Sequence, residues 1–316
     1  MTSAPRSFRT GYACAALGAA FAGLNASLAR FLLDDGLSAL RLTQLRCAVV
    51  VAVLGLGLAL RWPHLLRIRA ALLPQLAIVA VLGLALAQAA YFYAVTRVEI
   101  GVALVVQYTA PLLLLLWLRL RHGRAVARGL WACALVSLVG SALVVRAYDP
   151  GALDVRGLLA ALGSALGLCI YLVGNERLGR REHPATLLFW TFAIALVAWC
   201  LVQPVWTFPT APFDGPRDAL LGLAVGVVGT LVPFALIVLA VRFVPAPRAS
   251  IVLTSEVLFG AAFAFLIHDE VLGVVQLIGG AAVLGAVTWL QAQRANVEAE
   301  GAPERSPRPS GVAHRR

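Results

Sequence analysis

The chain has 316 residues, of which 61% are hydrophobic and 13% are charged. Soluble domains contain about 25% charged residues, so this composition excludes an ordinary soluble protein and indicates a membrane protein. The formal net charge is +11, and all the basic residues are arginine. Most of these arginines lie in short segments between apolar runs, a pattern that predicts membrane orientation and does not favour a nucleic-acid partner.

Ten apolar runs follow one another along the chain. Each approaches the roughly 20 residues that an α-helix needs to cross about 30 Å of hydrocarbon. Because lipid offers no partners to backbone N–H and C=O groups, we expect each run to be a helix. The predicted fold is an all-α integral membrane protein with ten transmembrane helices. Their approximate bounds are residues 11–29, 42–60, 72–95, 100–118, 129–145, 157–175, 185–206, 219–241, 249–267 and 271–291.

The arginines predict how this bundle is oriented. When the connecting segments are assigned alternately to the two sides, most arginines fall on the side of the chain termini and the aspartates fall on the other side. The positive-inside bias therefore places both termini in the cytoplasm. The first run also has the basic start and apolar middle of a signal peptide, but apolar residues continue beyond the small-residue end, so we interpret it as the first helix.

The ten runs divide into two groups of five. Shifting the first group by 146 residues lays AVTRVEIGVALVVQYTAPLL (94–113) over AVRFVPAPRASIVLTSEVLF (240–259), and both contain two apolar runs joined by a short Arg-containing connector. Because five is odd, the second group enters the membrane upside down, which predicts inverted repeats of the kind found in secondary transporters. The predicted divisions are a cytoplasmic N-terminus (1–10), a first five-helix repeat (11–146), a second repeat (156–291) and a disordered cytoplasmic tail (294–316).

Three stretches carry a resemblance to a known family. They are LRCAVV in the second run, QYTAPLLLLLW in the fourth, and SEVLFGAAFAFLIHDEVLGVVQLIGGAAVLGAV near the end. With them the chain resembles the EamA-type branch of the drug/metabolite transporter superfamily, whose repeats carry a Pro in one helix and a Glu and a Gly at the start of the last. The second half matches with Glu270, Gln276 and Gly279. The first half has Arg124 where the Glu is expected, and Val257 replaces the usual Pro after Glu256.

The resemblance implies a function. EamA-type proteins move small metabolites across the inner membrane, among them amino acids, related compounds and some drugs, often outward. The expectation is therefore a multi-pass transporter of the bacterial inner (plasma) membrane that exports amino acids or related compounds by alternating access, with protons as a candidate driving ion. The expected partners are a small-molecule substrate and the lipid bilayer, and both a monomer and a homodimer fit the sequence.

Glu256 is the charged residue that the ninth apolar run isolates most clearly. Nine residues from Pro247, at 1.5 Å per residue, place it roughly 13 Å into the helix, close to the bilayer midplane. An ionised group at that depth is costly and normally faces a cavity or a partner. Glu256 is thus a candidate proton carrier or counter-charge for a substrate ammonium. The alternative is a structural, hydrogen-bonded Glu, supported by Thr254 and Ser255 beside it.

Arg46 is the other charged residue within an apolar run, about 7 Å below one end of the second run. Its depth leaves some 10 Å along the membrane normal between it and Glu256, which argues against a simple ion pair. Arg46 is a candidate contact for a substrate carboxylate. Snorkelling toward lipid headgroups, or helix packing, is the alternative.

Further candidates share faces of the predicted helices. In the third run Gln88, Tyr91 and Phe92 follow the i, i+3, i+4 spacing of one face, and in the fourth Gln107 and Pro111 do so. Such groups suit a metabolite cavity, although amides also hold helices together in lipid. The prolines are candidate hinges. The full set of substrate-binding or coupling candidates is Glu256, Gln88, Tyr91, Phe92, Gln107, Tyr108, Thr254, Arg46 and Asn25, with Pro111 and Pro233 as hinges.

The sequence lacks the motifs that are typical of several other classes of function. The sequence has no H-E-x-x-H or G-x-S-x-G motif and no His within an apolar run, so we do not expect an enzyme or a metal site. No ATP-binding loop and no other cofactor motif is found, and no cofactor is expected. A passive channel, or a membrane scaffold or sensor without active transport, remains the alternative, although no repeated filter suggests a channel.

Overall fold

The computed structural model describes residues 6–122, 126–147, 154–209, 215–269 and 272–300. Over these ranges the chain is an all-helical membrane protein with ten apolar helices, as the ten runs predicted. Nine are long and apolar enough to cross a membrane, and the fifth, with 17 residues, lies at the lower end of that length range. The helices are α1 (Arg6–Asp34), α2 (Ala39–Arg61), α3 (Ala70–Val95), α4 (Ile100–His122), α5 (Arg128–Val144), α6 (Val155–Leu178), α7 (Pro184–Val202), α8 (Pro216–Phe243), α9 (Ala246–His268) and α10 (Val274–Glu300).

Short polar residues set several helix ends. Ser38 precedes α2 and accepts a hydrogen bond from the Arg41 N–H at 3.3 Å, and Asp154 precedes α6 and accepts one from the Arg156 N–H at 2.8 Å. These are N-caps, which satisfy backbone donors that the first turn leaves without partners. After α1 the chain turns at Gly36, whose φ of 93° suits a residue without a Cβ.

The helix bounds differ from the predicted runs most of all at the start of the first helix and at the end of the last. Helix α1 begins at Arg6 and not near residue 11, and α10 continues through Glu300, past the predicted end at 291 and into the segment predicted to be disordered from 294. The reason is composition, since RANVEAE consists largely of good helix formers. Residues 301–316 of the predicted tail, as well as Arg124 and Glu270, lie outside the described residues.

The helix bounds repeat at the same shift of 146 residues that relates the two sequence halves. Helix α4 consists of two segments, Ile100–Gln107 and Ala110–His122. Helix α9 consists of Ala246–Leu253 and Glu256–His268, which are the same positions plus 146. Helices α3 and α8 each contain a π-helical stretch, at Val79–Leu86 and Val227–Leu231. Interruptions in corresponding helices of both halves are typical of transporter binding regions.

The two halves interlock. Helix α1 packs against α8 and α9 of the other half, and α6 correspondingly packs against α3 and α4. Helices α2 and α7 form one pair, and α5 and α10 form another. In the α5–α10 pair the backbones are so close that a Cβ on Gly140 would lie 2.7 Å from the Gly279 carbonyl oxygen. The buried core runs through this bundle, and lipid-facing apolar side chains cover its outside.

Candidate functional site

A cavity of about 920 Å³ lies between the two halves. Helices α1, α2, α3, α4, α6, α8 and α9 contribute most of its wall, and its volume is within the range of small-molecule sites. All eleven residues that the sequence singled out line this one cavity. They are Asn25, Arg46, Gln88, Tyr91, Phe92, Gln107, Tyr108, Pro111, Pro233, Thr254 and Glu256.

The cavity is open on one side of the bundle. Its mouth is lined by residues at the helix ends opposite the chain termini, including Leu33, Ile100 and Arg146. Ile100 is 61% exposed there. On the side of the termini the corresponding helix ends are closed, with Tyr12, Val244 and other apolar side chains buried. We refer to these two sides as the far side and the terminus side.

The interruption of α4 lies at the cavity wall, at Tyr108 and Thr109. Pro111 has no N–H to donate to the Gln107 carbonyl, so the regular helix cannot run through this point. The Thr109 hydroxyl donates to the Val106 carbonyl at 2.6 Å, which further competes with the helical bond pattern. Pro111 therefore lies just after a break in the helix, in the first turn of the second segment.

The interruption of α9 arises without a proline. Three hydroxyls bond back to carbonyls three residues earlier: Ser250 to Pro247, Thr254 to Ile251 and Ser255 to Val252, at 2.6–2.9 Å. The Val257 N–H then donates to the Thr254 carbonyl at 3.3 Å, a tighter bond pattern than that of an α-helix. Hydroxyls that bond back to the chain thus interrupt α9 in the second half, as Pro111 interrupts α4 in the first.

Glu256 is the first residue of the second α9 segment. It lies near the middle of the 23-residue helix and lines the cavity. The backbone N–H groups at the start of a helix carry partial positive charge, so an interrupted helix offers a carboxylate favourable electrostatics even within a membrane. The sequence predicted the depth and the cavity, but the favourable helix terminus was missed because the hydroxyl-induced break was not recognised.

Arg46 reaches the same cavity from α2. Its Nε donates to the Thr230 hydroxyl oxygen at 2.8 Å, and the Thr230 hydroxyl donates to the Val225 carbonyl at 2.9 Å across the π-helical stretch of α8. Among the ion pairs of the described residues, none joins Arg46 to Glu256. Because Nε is engaged, the Nη end of the guanidinium is the part suited to a carboxylate.

Asn25 and Gly229 form a close contact at the cavity wall. Asn25 is 8% exposed. Its amide oxygen lies so close to Gly229 that it would overlap a Cβ on that residue. That oxygen, Oδ1, has no hydrogen-bond partner within the described protein, and the same holds for Gln88 Oε1 and the Tyr171 hydroxyl. All three residues line the cavity. Buried polar atoms without protein partners are exceptions in folded proteins, and these three face a cavity where water or a ligand can supply the missing partner.

The remaining candidates have clear positions. The Gln107 side-chain amide donates to the Ser164 hydroxyl oxygen at 2.9 Å, so it joins α4 to α6 as well as lining the cavity. The rings of Tyr91 and Phe92 meet edge to face with centroids 5.7 Å apart. Tyr108 is buried beside the α4 break, and Pro233 follows the π-helical stretch of α8.

Three residues that were not among the predicted candidates contact residues that line the cavity. Thr230 anchors Arg46, Gly229 admits Asn25, and Phe234 places its ring edge to face against Tyr171 at 5.5 Å. All three lie in or just after the π-helical stretch of α8, where GTLVPF interrupts an otherwise aliphatic run. Within the described ranges no group of three or more His, Cys, Asp or Glu residues is placed to hold a metal.

Comparison with known proteins places this architecture in a family. The model of the EamA-like transporter family matches residues 9–146 and 155–291, one match for each half. A crystal structure of another protein superposes with a TM-score of 0.74 at 20% identity, covering 93% of this chain and 99% of the other, which shows a shared fold.

Three related proteins are named as exporters or transporters. The threonine/homoserine exporter RhtA of Escherichia coli K12 is 24% identical over 202 residues, which cover 62% of this chain and 64% of the exporter. The alignment thus spans less than two thirds of that relative. The pseudopaline exporter CntI of Pseudomonas aeruginosa UCBPP-PA14 is 26% identical over 217 residues, covering 67% of this chain and 73% of that one. A transporter of Archaeoglobus fulgidus is 28% identical over 210 residues, with 65% and 74% covered.

The two family matches, one per five-helix half, together take in most of the chain. They agree with the interlocked bundle, the paired interruptions in α4 and α9, and the cavity between the halves. A transporter, and not an enzyme, follows from these matches. The chain belongs to the EamA-like transporter family.

Proposed function

We propose that this transporter exports zwitterionic amino acids or closely related small metabolites across the bacterial inner membrane by alternating access. The exporters RhtA and CntI support the direction and the substrate class. The arginine bias of the terminus side supports cytoplasmic termini, so the far side faces outward. The divisions of the chain are then a short cytoplasmic N-terminus, two inverted repeats and a cytoplasmic C-terminal segment.

The observation that carries the proposal is the presence of opposite charges in one cavity. Arg46, held through Nε by Thr230, is suited to a carboxylate, and Glu256 is suited to an ammonium group. The acceptor oxygens of Asn25 and Gln88 are available to the N–H groups of the same ligand. A zwitterion satisfies both charges at once, whereas a simple anion or cation leaves one of them without a partner in a poorly solvated site.

The aromatic and helix-break residues complete the proposed site. Tyr91, Phe92 and Tyr108 supply apolar surface for the body of the substrate, and Gln107 keeps α4 in contact with α6. Thr254 keeps the α9 break in place through its bond to Ile251. Pro111 and Pro233 are the proposed hinges, because the helix segments on either side of them lack a continuous backbone hydrogen-bond ladder.

Proton coupling is proposed through Glu256. A carboxylate that binds a substrate ammonium on one side of the membrane and a proton on the other carries the two alternately, since a protonated carboxyl cannot neutralise the ammonium. Exchange of one for the other links outward substrate movement to inward proton movement. Transport by the Glu256→Gln variant is accordingly expected to lose its dependence on an imposed pH gradient.

The test is counterflow in proteoliposomes. Vesicles containing the purified protein are loaded with unlabelled threonine or homoserine, the compounds named for RhtA, and uptake of the labelled compound is followed. The proposal predicts saturable uptake that transiently exceeds equilibrium. Flux that neither saturates nor shows counterflow would indicate a passive channel. Absence of flux across a broad panel of amino acids and related metabolites would favour a scaffold or sensor.

A further inference from the structure

Glu176, at the terminus-side end of α6, joins that helix to α9. Its Oε2 accepts a hydrogen bond from the Ala246 N–H at 2.9 Å, and its Oε1 accepts one from Arg180 Nη2 at 3.1 Å. Ala246 is the first residue of α9. An anion at the start of a helix is favoured by the partial positive charge there, so this contact holds the two helix ends together. It lies on the side where the cavity is closed.

The shift of 146 residues relates this contact to the open side of the cavity. The shift is visible in three dimensions as well as in the helix bounds: Gly11 packs against Val244, and Gly157 packs against Val98. Each member of the second pair corresponds to a member of the first. Helices α1 and α6 are therefore equivalent under the shift of 146 residues, and so are the segments that precede α4 and α9.

Applied to the contact of Glu176, the same shift places Arg30 at the position of Glu176 and Ile100 at the position of Ala246. It also places Asp34 at the position of Arg180. Both halves thus carry an ion pair between residues four apart at the end of their first helix, Arg30 with Asp34 at 3.8 Å and Glu176 with Arg180 at 3.1 Å. The signs are reversed between the halves.

The two corresponding helix starts differ in exposure. Ala246 is 0% exposed, whereas Ile100 is 61% exposed at the mouth of the cavity. In the present structure α6 contacts the start of α9. If the halves exchange conformations during transport, α1 makes the corresponding contact with the start of α4. That movement brings Arg30 toward the start of α4. A cation is disfavoured there, but Glu99, the residue just before α4, supplies an anion.

We propose that two charged latches set the side on which the cavity opens. Glu176, bound to the Ala246 N–H, keeps the terminus side closed while the cavity faces the far side. Arg30 and Glu99 form an ion pair that keeps the far side closed when the cavity faces the termini. This inference rests on the alternating access proposed above. It adds the charged residues whose contacts form in one state of the transporter and break in the other.

The test measures cysteine labelling and needs no substrate. The five native cysteines are replaced by serine or alanine, Ala246→Cys is introduced as the reporter, and the protein is placed in nanodiscs so that a polar maleimide reaches both sides. Because residue 246 is buried in the closed state, its labelling rate reports opening of the terminus side. The Glu176→Gln variant is expected to label about fivefold faster than its parent, as expected from loss of one partly exposed charge interaction.

The second latch is tested in the Glu176→Gln background. Adding Arg30→Gln or Glu99→Gln is expected to return the labelling rate toward that of the parent, because the state that opens the terminus side loses its ion pair. The charge-exchanged combination Arg30→Glu with Glu99→Arg is expected to keep the faster rate. A matched control is Glu182→Gln, which removes an ion pair with Arg69 at 2.9 Å on the terminus side without touching α9.

The outcomes separate the parts of the proposal. An unchanged labelling rate in Glu176→Gln, or an equal increase in the Glu182→Gln control, would overturn the first latch. Equal rates for Glu176→Gln with and without Arg30→Gln or Glu99→Gln would overturn the second. Unfolded variants are recognised by size-exclusion profiles and are replaced by Glu176→Asp, whose shorter side chain is expected to give the same direction of change. Failure of counterflow alone would count against the proposed substrate and not against the latches.

Discussion

The amide of Asn25 lies against Gly229, where any side chain would overlap it. We expect Gly229→Ala to displace the amide from the cavity and to lower transport about tenfold, since one well-placed polar contact is lost or misdirected. Transport is measured as initial uptake rate per amount of protein in the membrane. The control is Gly57→Ala in α2, where an added Cβ meets no atom within 4 Å. Equal losses in both variants would contradict the assigned role of the contact.

The hydroxyl of Thr230 positions the guanidinium of Arg46. Replacing Thr230 with Val keeps the shape but removes the acceptor for Nε, so the apparent KM is expected to rise about tenfold, as for loss of a hydrogen bond to a charged group. Saturation curves in proteoliposomes measure this change. Thr288→Val is the matched control, because the exposed Thr288 hydroxyl bonds only to carbonyls of its own helix. An unaltered KM in Thr230→Val would show that Arg46 needs no such anchor.

At the scale of the helix, Pro111 accounts for the break in α4. Pro111→Ala supplies the missing N–H and allows the two segments to join, which should raise the free energy of unfolding by about 1 kcal/mol and slow transport severalfold. Thermal unfolding and uptake rates measure the two effects. Pro184→Ala at the start of α7 is the control, because no helical bond is missing at that position. A Pro111→Ala variant that is neither stabilised nor slowed would argue against the hinge.

The α5–α10 pair depends on the close approach of Gly140 and Gly279. A Cβ on Gly279 would lie 2.6 Å from the Gly140 carbonyl oxygen, so Gly279→Val should destabilise the protein by about 1–3 kcal/mol through overpacking. Denaturation in detergent measures the loss. The control is Gly285→Val on the same helix. A Cβ added to Gly285 meets no atom within 4 Å, so this variant should have little effect on stability. If both variants unfold alike, backbone proximity is not what joins these helices.

For the whole molecule, the ten helices were predictable because the apolar runs are long and the charges alternate regularly between sides. The cavity candidates were predictable in part because polar residues such as Gln88 and Glu256 are expensive in lipid and turn inward. Their assembly around one cavity required the fold, since the halves interlock and α1 lies against helices of the other half.

Other features could not be inferred from residue type alone. The breaks at Thr109 and Ser255 depend on hydroxyls that bond back to the chain, a choice that Ser and Thr make in some helices and not in others. The bond from Arg46 to Thr230 depends on how α2 and α8 meet, and neither residue indicates the other in the sequence. The last helix extends beyond its apolar part because helix propensity continues where hydrophobicity ends.

Glu256 is the residue proposed to carry substrate or proton through the cavity. The most direct measurement compares extracellular metabolites, by mass spectrometry, for bacteria producing the parent protein, Glu256→Gln, or the control Glu182→Gln at equal membrane levels. We predict that one or more amino acids or related compounds accumulate outside with the parent and the control, and that Glu256→Gln lowers this accumulation at least about tenfold. Equal accumulation with Glu256→Gln and the parent would contradict the claim and leave Glu256 a structural role.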